Sequence, residues 1–139
     1  MRKQTTISLA IFLILLALTM TAAGQQAASL VVSANGEGTI KLGKEEFKIH
    51  AIVVKLFEDG KAEINLITDI TVFVEGTWKR NSDTARNVDL KIIGNGASNN
   101  MEGGGKLFFT DDRKSITSLK LEVLNKTSGK LIKADFVSK

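Results

Sequence analysis

LFEDGKAEINLITDITVFVEGTWKRNSDTARNVDLKII, residues Leu56–Ile93, reads as three consecutive β-strands. Ala62, Ile64 and Leu66 alternate with Lys61, Glu63 and Asn65, which buries one face of a strand and wets the other, as in an antiparallel sheet. Asp59-Gly60 ahead of it has the chemistry of a two-residue hairpin turn, because glycine accepts the positive φ such a turn requires. A turn near Asp69 separates this strand from Val72, Val74, Gly76 and Trp78. No Gly or Pro marks that turn, so one bent strand from Ala62 to Lys79 is the alternative. The polar run Lys79–Arg86 forms a loop, after which Val88, Leu90 and Ile92 alternate against Asn87, Asp89 and Lys91.

The same period extends outward in both directions. Upstream, Thr39–Leu42 alternates, Gly43-Lys44-Glu45 turns, and Phe47, Ile49, Ala51 and Val53 share a face of the next strand. Ile52, Val54 and Leu56 then occupy the opposite face, so this strand either carries a β-bulge or is covered on both sides. Downstream, Gly94–Gly105 has no periodicity and is rich in strand-breaking residues, which assigns it to a loop. Lys106–Thr110, Ile116–Leu124 and Leu131–Val137 complete about eight strands, with turns at Asp111–Lys114 and Asn125–Gly129. With links this short and no helical period after the N-terminus, the fold class is all-β, an antiparallel meander that closes into an up-and-down barrel. A two-sheet sandwich has the same periodicity. Hydrogen bonding between the strands that carry Ile40 and Phe136 distinguishes the two.

The N-terminus differs in composition from everything after it. Arg2 and Lys3 precede a run from Ile7 to Leu18 that is apolar except for Ser8, and Thr21-Ala22-Ala23-Gly24 follows with small residues. These are the three parts of a secretory signal, and the run is shorter than the ~20 residues a spanning helix needs. The expected organisation is a cleaved signal over 1–24, a flexible lead-in over 25–34, and one domain over 35–139. No stable membrane anchor remains after cleavage, and the mature chain is expected in the periplasm or outside the cell. There is no cysteine, so neither disulfides nor thiolate chemistry contribute. Removing Arg2 and Lys3 from 19 basic residues leaves 17 against 15 acidic ones, a net charge of +2. These charges are interspersed along the strands, which argues against a nucleic-acid partner.

The Asp-Gly hairpin, the alternating strand after it, Gly76-Thr77-Trp78, and Val88-Asp89-Leu90-Lys91-Ile92 together resemble the plan of small secreted lipocalin-like barrels of bacteria. That resemblance implies a barrel and an apolar ligand inside it. In lipocalins the Gly-x-Trp lies on the first barrel strand, whereas here it lies mid-chain.

Trp78 is the one tryptophan, and burying it is worth on the order of 2–3 kcal/mol, which makes it a core residue. If the barrel is hollow, Trp78 with Phe47, Phe109 and Phe136 lines a cavity for a small apolar ligand. Lys79, Arg80 and Arg86 cluster about one loop, and with Asn99 and Asn100 of the glycine-rich stretch they form a contact surface if both loops lie at the same end. His50, the single histidine, has no evident catalytic neighbours, and Asp111-Asp112 has the chemistry of a turn and not of a calcium loop. No nucleophile, base and orienting group assemble from this inventory. The expected function is therefore a non-enzymatic, cofactor-free interaction or structural module with a protein partner. The alternative is a carrier of a small apolar ligand.

Overall fold

The structure, a computed structural model, describes residues 28–139 except 81, 83–85 and 97. The expected signal over 1–24 and lead-in residues 25–27 lie outside the described residues. Eight strands follow in chain order: β1 (Ala28–Leu42), β2 (Glu45–Phe57), β3 (Lys61–Ile67), β4 (Thr71–Arg80), β5 (Asn87–Gly94), β6 (Met101–Phe109), β7 (Ile116–Asn125) and β8 (Leu131–Ser138). Each pairs antiparallel with the next, and β1 pairs with β8, so the meander closes into a barrel. Across the closing seam Gly38 stands opposite Phe136 and Ile40 opposite Ala134, which excludes the open sandwich. Among the described residues no helix is long and apolar enough to cross a membrane.

The alternation read from the sequence sets the inside of the barrel. Ile40, Ile52, Ile64, Leu66, Leu107, Ile116 and Leu119 are 0% exposed. They come from β1, β2, β3, β6 and β7 and meet on one axis, with Val74 and Ile92 of β4 and β5 beside them. An eight-stranded barrel is just wide enough for such side chains to fill it. The outer wall carries cross-strand ion pairs such as Lys106–Asp89 at 3.7 Å and Lys133–Glu122 at 3.6 Å. Exposed pairs of this kind add little stability each.

The change of face in β2 is not double coverage; it falls opposite a bulge whose extra residue lies in the facing strand β1. Asn35 pairs with Ala51 and Gly38 with Ile49, so Gly36-Glu37 face the single residue His50. Past that point Ile52, Val54 and Leu56 point inward, while Ala51 and Val53 are only half-buried.

Three boundaries move. First, β1 starts at Ala28, so residues 28–34 belong to the barrel and not to a flexible lead-in; Val32 is buried, and residues 30–35 pair with β2. Second, the β2–β3 turn has three residues, Glu58-Asp59-Gly60, and not two. Gly60 has φ 90° and its N–H donates to the Phe57 carbonyl at 3.0 Å, the arrangement of a three-residue hairpin with glycine at the left-handed position. Third, Gly103-Gly104-Gly105 is strand and not loop, since the irregular connection ends before Met101. A Cβ on Gly104 would stand 1.8 Å from the Leu90 carbonyl oxygen of β5, and one on Gly105 1.7 Å from that of Lys120 in β7. Neighbouring backbones approach too closely there for any side chain, so these glycines permit the strand they were read as breaking. The turn near Asp69 is real, and β3 and β4 are separate strands. Thr68 supplies what Gly or Pro did not: its hydroxyl accepts the Ile70 N–H at 3.1 Å.

Candidate functional site

A meander sends alternate connections to opposite ends of a barrel. The β2–β3, β4–β5 and β6–β7 connections belong to one end; the β1–β2, β3–β4, β5–β6 and β7–β8 connections belong to the other. Lys79 and Arg80, read from the sequence as loop, are the last two residues of β4, and the connection after them is separated from the glycine-rich stretch by β5, so the two lie at opposite ends. The single contact surface built from Lys79, Arg80, Arg86, Asn99 and Asn100 does not form.

At the first end the organising residue is Trp78. Its backbone N–H donates to the Gly60 carbonyl at 2.8 Å and its indole Nε1–H to the Phe57 carbonyl at 2.8 Å, so one residue of β4 holds both sides of the β2–β3 turn. The ring is half-buried and packs on the core from above. Two positions on, at strand period and hence on the same face, Arg80 lays its guanidinium 5.8 Å from the Trp78 ring centre, a cation–π contact. Around them Leu30, Leu56, Val88, Phe109 and Arg113 enclose a cavity of about 190 Å³. Its floor is apolar, because Leu56, Val88 and Phe109 are themselves buried core residues, and its rim carries Arg80 and Arg113. Arg113 reaches this rim from the β6–β7 turn, where it takes a left-handed conformation with φ 58°.

Of the four aromatic residues expected to line an interior cavity, only Trp78 and Phe109 meet at one opening. Phe136 is 1% exposed within the packed core. Phe47 lies near the start of β2, toward the opposite end, and packs against the core from there. The cationic trio also divides. Lys79 points away from the barrel axis, between the inward Trp78 and Arg80. Arg86 pairs with Asp111 at 2.6 Å, tying the loop after β4 to the β6–β7 turn. In that turn Asp112 accepts the Lys114 N–H at 3.0 Å and the Thr110 hydroxyl at 2.6 Å. The Thr110 hydroxyl, and after it the Lys114 N–H, hold the Asp112 carboxyl below its usual value. These contacts give the turn reading of Asp111-Asp112 its physical basis.

The second end is closed by polar contacts between loops. Asn100 donates from its side chain to Thr127 at 3.0 Å and accepts the Lys126 N–H on its backbone carbonyl at 2.9 Å. Asn125 receives the N–H groups of Thr127 and Ser128 at 3.0 and 3.2 Å on one side-chain oxygen. Lys126 reaches Glu102 at 2.7 Å, and that contact lowers the Glu102 carboxyl from its usual value. Asn99 is exposed beside this network. A cleft of about 430 Å³ here mixes Val72, Phe73 and Met101 with Glu45, Asn95 and Lys130.

His50 lies on the outer wall, 4.0 Å from Asp69, with 61% of its side chain exposed. Among the described residues no three His, Asp or Glu side chains gather where they would hold a metal ion. Sequence reading missed Leu30, Leu56, Val88 and Arg113 as lining residues. The findable signal was Arg80, an arginine in inward register with Trp78. No family model, curated protein or solved structure matches this chain.

Proposed function

We propose that the chain is a small exported, non-enzymatic β-domain that works as a protein-interaction or structural module in the cell envelope or outside the cell, engaging its partner from the Trp78 end. The observation that carries this reading is the filled barrel. Side chains that are 0% exposed occupy the axis where a carrier would hold its ligand, so recognition falls to the ends. Of the two ends, the Asn100 end uses its polar side chains on itself, whereas the Trp78 end presents exposed Lys79 and Arg80 beside an apolar opening. The secretory character of residues 1–24 supports export.

Photocrosslinking residues placed at Lys79, at Asn99 and at Lys120 on the barrel wall test the assignment in the native host. A crosslinked protein from position 79 alone is the expected result. Crosslinks from position 99 alone, or from none of the three, would refute it. Native mass spectrometry of the host-purified protein should show no long-chain ligand, and a stoichiometric long-chain apolar molecule, which only a hollow axis could hold, would restore the carrier reading.

A further inference from the structure

We infer that the opening at the Trp78 end is a binding site for a small free carboxylic acid with a compact apolar body. The site goes beyond the proposed protein partner and stands or falls separately from it. Three observations converge. The walls from Leu30, Leu56, Val88 and Phe109 are apolar, which favours desolvating a hydrocarbon group. Among the described residues that line the cavity the two charged ones, Arg80 and Arg113, are both arginines, so cationic groups stand at the rim where an anion would meet them. Arg80 is held by the face of Trp78, and among the described residues it pairs with no carboxylate, which leaves its fork of donors directed by stacking and not consumed by an ion pair. A planar guanidinium in that position matches a carboxylate with two parallel hydrogen bonds.

The volume suits a compact ligand. An apolar cavity of about 150 Å³ binds benzene, so about 190 Å³ takes a phenyl ring or a short hydrocarbon chain of similar bulk. A long acyl chain would need the barrel axis, which is filled. The ligand therefore sits across the mouth with its apolar body against Leu56 and Phe109 and its carboxylate toward Arg80. Because Trp78 is the protein's one tryptophan and forms part of the wall, its fluorescence reports occupancy directly.

Titration of the full mature chain with sodium hexanoate and with 3-phenylpropionate, followed by Trp78 emission and by calorimetry, provides the test. Saturable binding of both acids is expected. Hexan-1-ol should bind at least tenfold more weakly, and hexyltrimethylammonium should give no saturable signal. Arg80→Gln should weaken hexanoate at least tenfold while leaving the circular-dichroism spectrum and melting temperature unchanged, and Arg80→Lys should fall between Gln and the native residue. The inference is overturned if neither acid saturates, if hexan-1-ol matches hexanoate, or if Arg80→Gln binds like the native protein. A tripeptide with a free C-terminal phenylalanine is the remaining arm: tighter binding than 3-phenylpropionate would move the ligand to the end of a partner chain and overturn the assignment to a free acid.

Discussion

The two ends of the barrel are finished by different chemistry. At one, an aromatic ring seats on the core and its two N–H groups clamp a turn from the neighbouring hairpin; at the other, amide and hydroxyl side chains stitch loops to each other above the core. The first arrangement gains from apolar burial and leaves an apolar opening with a cation on its rim. The second satisfies backbone groups and leaves a wider cleft of mixed character.

Trp78→Ala is expected to have the largest effect, a loss of about 3–5 kcal/mol in urea unfolding followed by circular dichroism, because it removes a large packed side chain and an anchor of the β2–β3 turn. Trp78→Phe keeps most of the packing but leaves the Phe57 carbonyl without its indole partner, for a loss of about 1–2 kcal/mol. At the opposite end Asn125→Ala should cost about 1 kcal/mol by the same measurement, since exposed N–H groups of Thr127 and Ser128 recover water as a partner. Equal losses from Trp78→Ala and Asn125→Ala would abolish the distinction between the ends. Arg86→Gln, which breaks an exposed ion pair with Asp111, should change stability by no more than about 0.5 kcal/mol.

The smallest effect is electrostatic and belongs to the Asn100 end. Glu102 is lowered from 4.5 by the hydrogen bond from Lys126 and by its charge. A carboxyl lowered in the folded state contributes stability above its unfolded pKa, and that contribution fades as the pH falls through the folded value. Lys126→Met should therefore raise the Glu102 midpoint in an NMR titration and flatten the acid limb of the stability curve slightly. An unchanged midpoint would show that Lys126 does not hold Glu102 in solution.

Period-two alternation made the architecture legible, because burial on one face leaves a direct mark on residue type: Ala62, Ile64 and Leu66 are inside, as their spacing requires. Glycine was the main source of misreading. The same residue marks the left-handed turn position at Gly60 and the close backbone approach at Gly104, and local composition does not separate the two. Thr68 made a turn without the usual punctuation, through a side-chain hydrogen bond that is a property of geometry. The lead-in was misplaced for a related reason: Val31 and Val32 sit among small polar residues that dilute a strand signal which pairing with β2 completes. For the site, residue chemistry was visible but co-location was not. Trp78 and Phe109 meet only because β4 and β6 run the same way, while the parity of the meander separates Arg86 from Asn100.

The closing seam has a mechanical consequence. β1 and β8 are antiparallel neighbours joined over seven paired positions, with Ala28 and Ser138 both toward the Trp78 end. Tension applied between those two ends would load the ladder one rung at a time, starting at the bond from the Lys139 N–H to the Asn35 carbonyl, and would not shear all rungs together. The barrel should thus yield to pulling at low force, like a zipper opened from its tab, however well its interior resists heat or denaturant.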